Sequence, residues 1–121
     1  MADYKINLED KFGSLRLIDV AAEAAAVADE WVNQTLTTVN DSVVRLGVVE
    51  GDFHWHKHER EDEFFLVLDG ELEIDVEGEE TFALGPQQGV TIPRGVMHRP
   101  RAPKRTVILM VEPATVQPTG D

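Results

Sequence analysis

Three of the chain's four histidines, His54, His56 and His58, occupy alternate positions within FHWHKHEREDEFF, residues 53–65. On a strand, side chains two and four residues apart leave the same face, so this alternation predicts three imidazoles side by side, with Trp55 and Lys57 turned away. Imidazoles at i and i+2 can converge on one ion, the β-structure counterpart of i and i+4 on a helix. Glu63 follows a short polar loop and opens an apolar run, where an antiparallel return brings its carboxylate back beside the histidines. That carboxylate supplies the negative charge that neutral imidazoles lack. His98, the fourth histidine, ends IPRGVMH, in which Pro93 and Gly95 predict a rigid turn that aims a short strand. The neighbouring acids Glu59, Glu61 and Asp62 are expected to point to solvent.

Other chemistry is scarce. The chain has no cysteine, which excludes disulfides, thiolate metal sites and a cysteine nucleophile. No serine lies near a histidine, no glycine-rich phosphate cradle is present, and the single tyrosine, Tyr4, is remote from the histidines. No catalytic acid or base is therefore assigned. Five of the eleven basic residues fall between positions 94 and 105. By strand parity Arg99 and Arg101 face away from His98 and offset acidic strand edges, whereas Arg94, on the turn, is a candidate substrate contact.

The elements that must position these groups are strands. From Trp31 to Pro113 the chain reads as eight or nine short β-prone runs separated by tight turns, without interleaved helices, which argues for an all-β sandwich or barrel. Asn40-Asp41, Asp69-Gly70 and Glu77-Gly78 are hairpin signals. A two-residue turn at Asp69-Gly70 predicts Val67 opposite Leu72 and Phe65 opposite Ile74. It also predicts that Glu63, Phe65, Val67, Leu72, Ile74 and Val76 share a face. Phe64, Leu66 and Leu68 point the other way, and residues 107–111, VILMV, are apolar on both sides, so something must cover an outer face. The N-terminal segment is one candidate. A second copy of the chain is the other, and a homodimer is the more economical expectation. Residues 1–30 predict a lead-in with one short helix from DVAAEAAAVADEW, capped by Asp19, with Val20, Ala24, Val27 and Ala28 on one face. Residues 31–113 form the main domain, and residues 114–121 a flexible tail.

At 121 residues the chain is one domain, and its net charge of -12 argues against nucleic-acid and anionic-membrane partners. No secretory signal and no apolar run of membrane-spanning length is visible, so a cytoplasmic protein is expected.

The segment HKHEREDEFFLVLDG resembles the first motif of the cupin superfamily through His56, His58, Glu63 and Gly70. PRGVMH resembles the heart of the second motif through Pro93, Gly95 and His98. The order and spacing are those of a short bacterial-type monocupin. The chain departs from the motifs at Glu50, Gln87 and Ala102, positions that govern backbone and turns. The resemblance implies a double-stranded β-helix, the cupin jelly-roll barrel, preceded by the short helix. It assigns His56, His58, Glu63 and His98 as ligands of one divalent transition metal, Mn, Fe, Co, Ni, Cu or Zn, and leaves His54 as a substrate contact, an outer-layer partner or a rim residue. It implies a metalloenzyme acting on a small polar molecule by dioxygenase-, decarboxylase- or isomerase-like chemistry, or else a non-catalytic cupin that binds or senses a small ligand.

Overall fold

The computed structural model describes residues 3–121. Eight strands and one short helix build it: β1 (Lys5–Asn7), α1 (Val20–Ala25), β2 (Trp31–Val39), β3 (Ser42–Asp52), β4 (Glu63–Asp69), β5 (Leu72–Val76), β6 (Phe82–Leu84), β7 (Gly89–Ile92) and β8 (His98–Pro113).

The longest strand, β8, organises the rest. Along one edge it pairs with β3. Along the other it changes partner, meeting β5 over His98–Arg101 and β4 over Val107–Val111. The change falls where the β3 register jumps from Val49↔Thr106 to Gly51↔Ala102, so extra β8 residues bulge there and bend the strand. One half of β8 thus lies in a layer with β1, β2, β3, β4 and β7, the other in a layer with β5 and β6. Inward side chains of the two layers meet in one core that includes Phe65, Val67, Leu72, Ile74, Ile108 and Met110.

The expected β4–β5 hairpin does not form: β4 pairs with β7 and β8, and β5 with β6 and β8. Asp69-Gly70 is instead the corner at which the chain passes between layers. Gly70, at φ 94°, presses so closely on the bend that a Cβ would stand 2.5 Å from Thr106 Oγ1. The Glu71 N–H donates to that same hydroxyl. The shared face survives this change of partner. Glu63, Phe65, Val67, Leu72, Ile74 and Val76 are all buried, because alternation belongs to each strand whatever lies beside it. The other two turns form as expected: Asn40-Asp41 closes β2 on β3 with Val39 opposite Ser42, and Glu77-Gly78 lies between β5 and β6.

Asp19 caps α1 by accepting the Ala22 N–H at 3.0 Å. Ala24 of α1, with Phe12, Ile18 and Val27 beside it, packs on outward residues of the first layer, among them Leu46, Val107, Leu109 and Leu68. The N-terminal segment therefore covers part of the outer face. It also supplies β1, which runs parallel to β2; the lead-in contains this strand as well as the expected helix. Residues 114–121, expected to be loose, are packed: Val116 and Pro118 are buried, and the Arg45 guanidinium donates to Val116 O at 3.2 Å.

Candidate metal centre

The histidine stretch follows β3, but it is not the regular strand expected. Only His56 makes a β-bridge, to His98, with both backbone hydrogen bonds formed: His56 N–H to His98 O at 3.0 Å and His98 N–H to His56 O at 2.8 Å. Phe53, His56 and His58 are buried, while His54 and Trp55 are both exposed. That break in the alternation takes His54 off the shared face. Beyond His58, the Pro93–Gly95 turn folds back so that the Gly95 N–H donates to His58 O at 2.7 Å. Glu63, as the first residue of β4, is fixed opposite Ile92 of β7.

These anchors bring His56, His58, Glu63 and His98 into one group in which a donor atom from each lies within 4.8 Å of the others. All four are buried. Glu63 Oε1 stands 3.4 Å from His58 Nε2 and 3.3 Å from His98 Nε2. Donors in adjacent positions around one ion, each at about 2.1 Å, stand about 3 Å apart, and the two Glu63 contacts are already close to that spacing.

The outward nitrogens decide which lone pairs face inward. His56 Nδ1 lies 3.0 Å from His54 O, and His98 Nδ1 lies 2.9 Å from Val96 O. A carbonyl only accepts, so both Nδ1 atoms carry the proton. His58 Nδ1 makes the same kind of contact with the Asp121 carboxylate, at 2.8 Å. Three Nε2 atoms are left for the interior, and His58 Nε2 has no hydrogen-bond partner there among the described residues. Imidazoles with committed outer protons and inward lone pairs around a carboxylate call for a cation between them. The residues fit a metal.

The electrostatics follow from burial and from Glu63. Burial, then the neighbouring His98, lowers His56 to about 4. Burial also works against a charge on His58, but Glu63 and then Asp121 outweigh it and hold His58 above its ordinary value. For Glu63 burial opposes ionisation, and the closeness of the His58 and His98 imidazoles outweighs it, keeping the carboxylate charged far into acid.

A second acid lies beside this group. Glu112, at the inward end of β8, is 2 % exposed, and burial followed by the charge of Glu63 raises its pKa well above the usual carboxylate range. Arg45 of β3, equally buried, lies 3.6 Å from Glu112 Oε1 and donates to Thr35 Oγ1 at 3.0 Å. Sequence reasoning passed over this pair, although parity points to it: Glu112 alternates with Ile108 and Met110, and Arg45 with Gly47 and Val49. One loop acid is corrected too, while Glu59 and Asp62 are exposed as expected. Glu61 is buried, not solvated, and its Oε2 accepts from Thr115 Oγ1 at 2.6 Å. Asp62 accepts from the Arg94 N–H.

On its inner side the ligand group borders a cavity of about 30 Å³ lined by Trp31, Phe53, Phe65, Ile108 and Met110 with His56 and Glu63. That is room for one or two water-sized species. His54 lies outside it, stacked on Phe53 with centroids 4.3 Å apart and its Nε2 2.8 Å from Thr119 O. Arg94 is exposed and borders a surface groove with Arg60, Glu61, Asp62, Phe64 and Glu112. Arg99 and Arg101 face away from His98 as expected and pair with Asp75, Arg101 also with Glu73.

Residues 42–112 match the model of the cupin domain family designated Cupin_2. The chain belongs to the cupin family. This cupin is 41 % identical over 97 residues to "Uncharacterized protein YdbB" of Bacillus subtilis (strain 168), covering 80 % of this chain and 86 % of that one. It is similar to the crystal structure of a cupin-2 domain containing protein from Shewanella frigidimarina NCIMB 400. The TM-score there is 0.76 at 31 % identity, covering 80 % of this chain and 94 % of the other. Hydroquinone 1,2-dioxygenase from Sphingomonas sp. TTNP3 shares the fold at TM-score 0.75 and 18 % identity, over 84 % of this chain and 33 % of the dioxygenase chain. The all-β double-stranded β-helix expected of the sequence is therefore the fold of this cupin, with its short N-terminal helix. Among the described residues, no helix is long and apolar enough to cross a membrane.

Proposed function

We propose that this cupin binds one divalent transition metal through His56, His58, Glu63 and His98 and acts on a small polar organic molecule, by dioxygenase-, decarboxylase- or isomerase-like chemistry. The observation that carries the proposal is the outward commitment of all three Nδ1 atoms, which turns Nε2 of each imidazole toward the buried Glu63 carboxylate. Bound there, such a metal supplies Lewis acidity and, for Mn, Fe, Co or Cu, a redox couple. The chain's own contribution is threefold. The ligands set charge and position. The aromatic and aliphatic wall around the small cavity excludes bulk water. Glu112, buried beside Arg45, is a carboxyl group that burial holds above the usual carboxylate range next to the ligand group. His54, stacked on Phe53, and Arg94, on the surface groove that reaches Glu112, are proposed as substrate contacts.

A non-catalytic ligand-binding or sensing role is the second reading, and it is favoured by His54 and Arg94, the candidate contacts beyond the ligands, both lying outside the cavity wall. A homodimer, a small-molecule ligand, the absence of nucleic-acid and membrane partners and a cytoplasmic location complete the proposal. The acidic net charge of -12 supports its electrostatic part.

Elemental analysis of tag-free protein, native and His58→Ala, tests the metal. A near-stoichiometric transition metal in the native chain that is lost in the variant is the expected result. A native chain that stays empty after incubation with Mn, Fe, Co, Ni, Cu and Zn in turn sinks the metal-dependent proposal.

A further inference from the structure

The three histidines of the ligand group are not oriented by the same device. His56 and His98 each donate a hydrogen bond from Nδ1–H to the carbonyl two residues earlier, His54 O and Val96 O. For His58 the corresponding carbonyl is His56 O, and that atom is already taken by the His98 N–H at 2.8 Å. The carbonyl two residues before His58 thus serves the backbone bridge, and the His58 ring makes its contact elsewhere. A different part of the chain supplies the acceptor.

Residues 118–121 run alongside the histidine stretch. Thr119 O accepts from His54 Nε2 at 2.8 Å, the Asp121 N–H donates to Lys57 O at 3.0 Å, and Asp121 Oδ1 accepts from His58 Nδ1 at 2.8 Å. Between them Gly120, at φ 111°, passes so close to His56 that a Cβ would stand 3.0 Å from the His56 Cβ. A side chain there would be strained by the backbone and crowded by the ligand. Pro118 continues the strap into the cavity wall.

We propose that Asp121 is a positioning residue of the metal centre: by accepting the hydrogen bond of His58 Nδ1–H it turns His58 Nε2 toward Glu63, and the 118–121 strap that carries it ties metal affinity to closure over the site. This rests on the metal-binding function proposed above. A carboxylate behind a ligating imidazole fixes the tautomer and raises the basicity of the inward nitrogen, and loss of such a partner typically weakens metal binding about 10- to 100-fold.

The test uses the full chain, native and with Asp121→Asn, Asp121→Ala or Gly120→Val, the last displacing the strap while keeping the carboxylate. Zn²⁺ affinity is measured by chelator competition, the Co²⁺ visible spectrum reports ligand geometry, and ¹⁵N NMR of the metal-free chains reports each histidine tautomer. Expected are Zn²⁺ dissociation constants about 10- to 100-fold higher for Asp121→Ala and Gly120→Val, a smaller rise for Asp121→Asn, an altered Co²⁺ spectrum, and mixed tautomers at His58 alone. Unchanged His98 signals in every variant, and unchanged His56 signals in the two Asp121 variants, establish that the fold is retained. Variants that bind Zn²⁺ within twofold of the native chain, with His58 still protonated at Nδ1, overturn the positioning role and leave the metal centre standing. A native chain that binds neither Zn²⁺ nor Co²⁺ removes both.

Discussion

His56 and His58 are two residues apart in one buried group, yet their surroundings drive their protonation in opposite directions. His56 is buried against another imidazole and falls from 6.5 to about 4, whereas His58 stands between two carboxylates and rises. The signs for metal-free protein follow from linkage. Because the folded value of His56 lies below the unfolded one, the unfolded chain takes the proton first as pH falls. Its contribution is complete above 6.5 and is lost between 6.5 and 4, amounting to about 3 kcal/mol at most. His58 works the other way, stabilising fully below its unfolded value and losing that contribution as pH rises through its raised one. Urea unfolding of native protein and His56→Asn at pH 7.5 and pH 4.5 checks this. The native chain should lose more stability on acidification than the variant; equal losses refute the assignment. Asp121 shows what could not be read from residues alone. Its carboxylate matters through a contact 63 positions away, and no local pattern marks it. His56, His58, Glu63 and His98 were legible because their spacing is itself the signal.

At the scale of elements, β4 and β5 show which parts of a sheet are local and which are not. Inward and outward faces are set by alternation within each strand, so the buried set was readable before any pairing was known. Pairing depends on where the turn sends the chain, and Asp69-Gly70 suits a hairpin as well as a corner. What makes it a corner is the β8 bend pressed against Gly70, a contact 36 residues away in sequence, between Gly70 and Thr106. Gly70→Ala should therefore cost about 2 kcal/mol or more, combining a positive φ with a clash against backbone and hydroxyl. Gln87 is the opposite case. It holds φ 66° without being glycine, at a position where the chain departs from the second cupin motif, and its N–H donates to Val67 O at 2.7 Å. Relief of left-handed strain, offset by greater freedom of the unfolded chain, should leave Gln87→Gly neutral or up to about 1 kcal/mol more stable. Chemical unfolding of the two variants beside the native chain decides; a neutral Gly70→Ala or a strongly destabilised Gln87→Gly contradicts the backbone account.

For the molecule as a whole, the outer face of the first layer is covered unevenly. The N-terminal segment packs over Leu46, Leu109 and Leu68, but the next row, Val44, Val111 and Phe64, lies in cross-strand register beyond it. Val111 of that row remains 39 % exposed. A second copy seated there is how the proposed homodimer would bury the row, with both copies offering the same patch across a two-fold axis. Val111→Glu should then turn a dimer into a monomer in sedimentation velocity while leaving thermal unfolding of the barrel little changed. A native chain that sediments as a monomer at high micromolar concentration, or a variant that still dimerises, rules out this interface.

The mutual backbone hydrogen bonds between His56 and His98 also bear on time. Neither residue can swing away without breaking the bridge to the other, and Glu63 is held within the β4–β7 ladder. His58 alone of the four lies outside any strand pairing, secured by the Gly95 N–H on its carbonyl and Asp121 on its ring. An ion seated in this group would leave by the His58 side, so its residence would be governed by how often residues 57–62 breathe. A chelator added in excess would then strip it at a rate independent of chelator concentration.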